Sequence, residues 1–196
     1  MKRAIKDLIL ASQSPRRKAL LEEAGYEFTV MAPDQSVEQG LCSGCTPEQM
    51  VSDWALRKAL DIARQVQQGL ILSADTIAEL DGQILGKPRD EDHAFKMLRL
   101  LSGRVHRVLT GVCLLDVRRA VYLQKMEVAV MRMDPLTDQQ IEEYVATDGW
   151  VGKAGAFGFQ DGPDWLHLES GLASAVVGLP VERLPKWIAE LAELQE

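Results

Sequence analysis

Leu70-Ile-Leu-Ser-Ala-Asp75-Thr76-Ile-Ala-Glu-Leu-Asp81-Gly82-Gln83-Ile-Leu85-Gly-Lys87-Pro88 is the stretch whose reading decides the fold. The apolar run Leu70 to Leu72 is too short and too unperiodic for an amphipathic helix and reads as a buried strand. The reading ends that strand at Asp75, leaving a carboxylate and the Thr76 hydroxyl at a strand end, where ligand crevices form in α/β proteins. Asp81-Gly82 is a two-residue hairpin signal, because glycine accepts the positive φ such a turn demands. The return strand Gln83 to Leu85 then carries Lys87 back towards Asp75, so that an acid and a base from opposite arms face one pocket. A hairpin with a solvated acid and a surface lysine fits the same letters.

Working outward, Leu8-Ile-Leu10 is a second short buried strand, followed by Ala11-Ser-Gln-Ser-Pro-Arg-Arg17. Ser14 before Pro15 is an N-cap with a first-turn proline, and the helix it opens runs to Gly25. The loop therefore directs a helix N-terminus, the hydroxyls of Ser12 and Ser14, and Arg16 and Arg17 at one place. Free N–H groups, the helix dipole and guanidinium forks together suit phosphate; a capped helix with two solvent-facing arginines is the plainer alternative. Adjacent helix-entry residues diverge by about 100°, so one arginine faces the ligand more readily than the other.

Tyr26 to Met31 alternates as a strand, and Pro33 to Glu38 follows as a loop. Thr46-Pro47-Glu48 caps a helix running to about Gln67, with Met50, Val51, Trp54, Ala55, Ala59 and Ile62 apolar and Lys58 read as a solvated lysine. Further on the pattern gives a helix over 89–101, a long strand over 105–115 with His106 as a structural histidine, and a strand element over 121–133 filled by Met126, Met131 and Met133. Thr137 opens a capped helix to Ala146, and Gly149 to Gln160 is too glycine-rich for a regular element. An apolar strand over 165–168 and a final helix opened by Gly178-Leu-Pro180 complete the chain.

At 196 residues, with 46% hydrophobic and 26% charged side chains, the composition is that of one globular unit over 1–196 with no linker or repeat. The net charge of −7 excludes a non-specific nucleic-acid binder, which needs a basic face, but not an anionic small ligand. No signal peptide is legible and no apolar run reaches the ~20 residues of a membrane span, so a cytoplasmic location is expected. Cys42, Cys45 and Cys113 are an odd set; Cys42 and Cys45 read as incidental loop thiols and Cys113 as core.

Taken together these motifs resemble the Maf family of nucleoside triphosphate pyrophosphatases, in order and from Leu8 to Leu184. The resemblance rests on Leu10 to Arg17, on Glu38, on Ala55-Leu-Arg-Lys58-Ala59, on Ala74-Asp-Thr76, on Leu85-Gly-Lys87-Pro88, on Leu101 to His106 and on Gly152-Lys153-Ala-Gly-Ala-Phe-Gly-Phe-Gln160. Two departures stand out: Val37 where the family usually keeps Asp, and Asp161-Gly-Pro-Asp-Trp165 after the glycine-rich loop.

The resemblance implies an α/β fold, a long twisted mixed sheet flanked by helices with a nucleotide cleft between two lobes, like inosine triphosphate pyrophosphatases. It implies hydrolysis between the α and β phosphates, with Asp75 as general base and Lys58, Lys87 and Glu38 completing the catalytic set. Glu38 and Asp75 are the implied ligands of a divalent cation, magnesium or manganese. Ser12, Ser14, Arg16, Arg17, Thr76, Lys153 and Gln160 are the implied substrate contacts. Arg16, Thr76 and Gln160 resemble the branch acting on thymidine and uridine triphosphates, with Arg16 favoured over Arg17 as the ligand-facing residue. A branch acting on 7-methylguanosine triphosphate lacks that threonine and glutamine. The non-enzymatic alternative is a nucleotide-binding regulator of cell division, against which Asp75 speaks, since a base beside a triphosphate hinders binding by repulsion. The partner implied is the nucleoside triphosphate, with no nucleic acid and no membrane, and a homodimer is kept open.

Overall fold

The computed structural model describes residue 5 and residues 7–38 and 44–194; the side chains of Gln35 and Glu38 also lie outside the described part. One mixed sheet organises these residues, in the order β2-β1-β3-β5-β6-β7 with β4 on β3. Its strands are β1 (Leu8–Ala11), β2 (Thr29–Met31), β3 (Leu70–Leu80), β4 (Gln83–Leu85), β5 (Val105–Asp116), β6 (Val121–Met133) and β7 (Leu166–Ser170). β1 runs parallel to β2 and β3, and every other pairing is antiparallel. The helices are α1 (Pro15–Glu23), α2 (Pro47–Ala63), α3 (Glu91–Leu101), α4 (Asp138–Val145), α5 (Ala173–Val177) and α6 (Leu184–Glu193).

The local signals act as expected where the physics is local. Ser14 caps α1 by accepting from the Arg17 N–H, with Pro15 in the first turn. Thr46 with Gln49 and Thr137 with Gln140 form reciprocal capping boxes at α2 and α4. Asp81 and Gly82 both have positive φ, 51° and 84°, as the tight turn between β3 and β4 requires.

Three boundaries differ from the sequence reading. α2 stops at Ala63 and not near Gln67, because Arg64 to Gln68 offers the core little beyond Val66. α5 is an additional helix of five residues, and α6 starts at Leu184, after a turn in which the Arg183 N–H donates to the Pro180 carbonyl at 3.0 Å. β2 keeps only three of the six residues that alternate, and the segment read as loop after Pro33 includes a 3₁₀ turn, Gln35–Glu38. Cys45 is disulfide-bonded and therefore not an incidental thiol, whereas Cys42 lies outside the described residues. Cys113 is free and buried as expected, with its thiol pKa pushed up to about 12 by burial. No helix among the described residues is long and apolar enough to cross a membrane.

The two faces of the sheet carry different chemistry because side chains alternate along β3. Ile71 packs with Ala55, Ala59 and Ile62 of α2, and Ile77 with Val51 of the same helix. Leu72 and Ala74 face the other way, into a core with Leu21 of α1 and Leu184, Trp187 and Leu191 of α6. Each fully buried Ile or Leu in these layers stabilises the fold by roughly 1.5–3 kcal/mol.

α2 lies unusually close to the sheet at Gly111, the β5 partner of Asp75. A Cβ added there would stand 2.5 Å from the Val51 carbonyl oxygen, so backbone would have to move. Gly111→Ala is expected to destabilise by ~1–3 kcal/mol and to lower the melting temperature by ~2–4 °C per kcal/mol. A wild-type melting curve for this variant would show that the helix does not depend on that approach.

Candidate active site

β3 does not stop at Asp75, as the sequence reading had it, but continues to Leu80. On one edge it pairs with β5 without interruption from Leu70 to Glu79. On the other edge β1 pairs only up to Ser73 and β4 only from Ala78. Residues 74–77 therefore have one edge without a strand partner, and the opening is a gap in an edge, not a strand end. Asp75 sits on the α2 face with Ile71 and Ser73, and Thr76 on the opposite face with Leu72 and Ala74. A cleft of about 730 Å³ wraps around this gap and takes in both residues.

On the α2 face, Lys58 is only 4% exposed and makes an ion pair with the Asp75 carboxylate. Its ammonium also donates to the Ala74 carbonyl at 3.4 Å. Reading Lys58 as a solvated lysine is thus overturned. A signal was present: Lys58 lies three residues after Ala55, four before Ile62 and seven after Val51, in the middle of the buried stripe. A cation at the centre of an apolar helix face needs a buried partner.

On the other face the first loop folds back on itself. The Ser14 N–H donates to Ser12 Oγ at 3.1 Å, and Arg17 Nη1 donates to the same oxygen at 3.4 Å. Arg17 also donates through Nε to the Gly178 carbonyl at 2.8 Å and through Nη2 to Thr76 Oγ1 at 3.1 Å. Arg16 donates to the Gly152 carbonyl at 2.9 Å, tying α1 to the glycine-rich loop across the cleft. Burial pulls the Arg16 pKa down, and Asp161 nearby pulls it partly back. The two arginines do diverge, yet both line the cleft, so divergence at the helix entry does not by itself single out one of them for the ligand.

The glycine-rich loop closes the third side. The Gly155 N–H donates to the Gly86 carbonyl at 3.1 Å, and its φ of 70° leaves Ala78 close to where a Cβ would be. That stitch places Lys153 and Gln160 on the same cleft as Lys87. Tyr144 clamps the loop at two points, donating to the Gly149 carbonyl at 3.0 Å and accepting from the Gly158 N–H at 2.9 Å. Burial, chiefly, pushes the Tyr144 phenol up to about 12, so it stays protonated for this work. Lys153 is ion-paired with Asp161, the residue that departs from the family pattern. A Cβ on Gly158 would collide with both side chains of that pair, which only glycine leaves room for.

Sequence reasoning missed the roles of Tyr144, Thr110 and Gly178, which depend on contacts between segments apart in the chain; Asp161 stood out only as a departure after the glycine-rich loop, without its pairing to Lys153. His106 is buried against Phe157, their ring centroids 5.2 Å apart and edge-to-face, as a structural histidine would be. Burial lowers its pKa to about 4, against a weaker upward pull from the Arg104 backbone. Glu38 closes the 3₁₀ turn beside the cleft, and its side chain lies outside the described part.

Among the described residues lining the cleft are five cations (Arg16, Arg17, Lys58, Lys87 and Lys153) and two carboxylates (Asp34 and Asp75), a local charge of five minus two, or +3. In a chain of net charge −7 this is a focused positive site, suited to a compact polyanion. Among the described residues no three His, Cys, Asp or Glu side chains converge as a metal cage.

The chain is similar to several known proteins. The family model described as Maf-like protein matches residues 7–191. A dTTP/UTP pyrophosphatase of Rhodopirellula baltica is 51% identical over 95% of this chain and 81% of its own. A dTTP/UTP pyrophosphatase of Ruminiclostridium cellulolyticum is 39% identical over 96% of this chain and 98% of its own. In structure, a HAM1 protein from Coxiella burnetii superposes with a TM-score of 0.53 over 95% of this chain and all of that one, at 15% identity, a likeness of fold.

Proposed function

The chain belongs to the Maf-like protein family, and from that premise we propose that it hydrolyses the α–β phosphate bond of dTTP and UTP to a nucleoside monophosphate and pyrophosphate. The observation that carries the catalytic assignment is the Asp75–Lys58 pair at the unpartnered edge of β3, inside a cleft of net positive charge. Asp75 takes the proton from a water attacking phosphorus, and pyrophosphate leaves with the electrons of the broken P–O bond. Lys58 holds the carboxylate in place, while Arg16, Arg17, Lys87 and Lys153 offset the phosphate charge with donors already oriented by the fold. Ser12 and Ser14 anchor the loop beneath them.

The oxygen donors fit a magnesium or manganese ion bound through one or two carboxylates and the phosphates of the substrate. Asp75 is the described residue that would hold it, and a bound ion would supply further neutralisation of the triphosphate; Glu38, the second ligand the resemblance implies, has its side chain outside the described part.

Base selection is assigned to Gln160 and Thr76, which both line the cleft. An amide both donates to and accepts from a pyrimidine edge. One such contact discriminates by ~1–3 kcal/mol, about one to two decades in kcat/KM at ~1.4 kcal/mol per decade. UTP and dTTP are therefore expected to be the best substrates in a side-by-side panel of nucleoside triphosphates read by pyrophosphate release. Gln160→Ala should flatten the preference more than it lowers kcat. A wild-type preference for a purine triphosphate, 7-methylguanosine triphosphate included, would overturn the assignment.

A further inference from the structure

Thr76 pairs in register with Thr110 of β5, and the two hydroxyls meet at 2.9 Å on the face away from α2. Thr110 is fully buried, and its hydroxyl donates to the Ala175 carbonyl of α5 at 2.7 Å. A hydroxyl has a single proton. With that proton given to Ala175, Thr110 can only accept from Thr76, so the Thr76 proton points inward. Arg17 Nη2, which can only donate, meets the Thr76 hydroxyl at 3.1 Å, and both residues line the cleft. The order of the relay is thus fixed as Arg17 to Thr76 to Thr110 to the Ala175 carbonyl.

We infer that Thr110 is a specificity-determining residue acting through Thr76: it commits the Thr76 proton inward, so that Thr76 meets the ligand as an acceptor only and selects a pyrimidine whose ring edge donates. Uracil and thymine carry a donor at N3, whereas cytosine presents a lone pair there, which would face the lone pair of Thr76. The selection therefore falls on imide-bearing pyrimidines, uridine and thymidine triphosphates over cytidine triphosphate. This rests on the pyrimidine triphosphate reading above. The surroundings keep the relay in place: a Cβ on Gly178 would lie 3.3 Å from Arg17 Nε and 3.5 Å from Thr76 Oγ1, so the α5 terminus packs directly on both. Thr110 is not itself part of the cleft lining, which it reaches only through Thr76, and it would not contact substrate.

The test compares kcat/KM for UTP and CTP in wild type, Thr110→Val and Thr110→Ser. Wild type is expected to prefer UTP by about tenfold or more. Thr110→Val keeps the shape but removes the acceptor, freeing the Thr76 proton to turn outward; the ratio should fall to within about threefold of unity. Thr110→Ser, which keeps the hydroxyl and loses the methyl, should retain the wild-type ratio. A merely structural role would reverse this, with the serine variant, which loses packing, no better than the valine one. If Thr110→Val does not fold, Thr110→Ala makes the same loss with a smaller side chain. A wild-type UTP/CTP ratio carried unchanged into the valine or alanine variant overturns the inference. The proton order is checked without substrate by neutron diffraction of the free, deuterium-exchanged protein. Deuterium on the line from Thr76 to Thr110 supports the relay, and deuterium pointing into the cleft overturns it. A wild-type enzyme that cleaves no pyrimidine triphosphate, with the neutron result as expected, would instead place the failure in the substrate reading and remove the specificity role with it.

Discussion

Asp75→Asn is expected to lower kcat by ~10²–10⁴-fold, the usual contribution of a positioned general base, while nucleotide still binds. The substitution is nearly isosteric and keeps an oxygen that can accept from Lys58, but it leaves the buried ammonium without its counter-ion, so the variant's melting curve is taken alongside its kinetics to show that it is folded at the assay temperature. What is lost is the carboxylate that takes the proton. Kinetics should be run at saturating divalent cation, so that weakened metal binding does not pass for a loss of the base. Binding of UTP within about tenfold of wild type, with turnover reduced by at least about a hundredfold, is the expected pattern. Turnover close to wild type would remove Asp75 from the role of base, whatever its contacts.

How much of this arrangement could be read beforehand follows the range of each interaction. The turn at Asp81-Gly82, the Ser14-Pro15 cap and the capping boxes at Thr46 and Thr137 are decided within four residues, and the letters carry them. The continuation of β3 past Asp75 is not local. It is fixed by ten registered partners on β5, from Leu70 with Asp116 to Glu79 with Arg107, far along the chain, against which the polar residues in the middle have no vote. The helix over 173–177 has three buried residues and no polar face, so it lacks the periodicity by which a helix is recognised. At the site, the resemblance named the residues but not the faces: Asp75 and Thr76 are neighbours in sequence and stand on opposite sides of the sheet. Lys58 was legible in principle, because its spacing from Val51, Ala55 and Ile62 places it on the buried stripe.

That placement gives Lys58 the second large expected effect, on stability as well as on rate. Lys58→Met keeps the length of the stem and its packing on the stripe but leaves the Asp75 carboxylate without its counter-ion. Both side chains are largely out of water, 5% and 11% exposed, so the remaining charge is poorly screened. Breaking one side of a buried pair costs ~3–5 kcal/mol; because Asp75 borders a cleft that admits water, the lower figure is expected. At ~2–4 °C per kcal/mol for a chain of this size, the melting temperature should fall by about 6–12 °C. The Lys58→Met, Asp75→Asn double variant removes both charges and should recover most of that loss, because an uncharged pair has no buried ion to solvate. It should not recover turnover, since the base is gone. A single variant that melts with the wild type, or a double variant less stable than Lys58→Met alone, would mean that the two side chains are not energetically coupled.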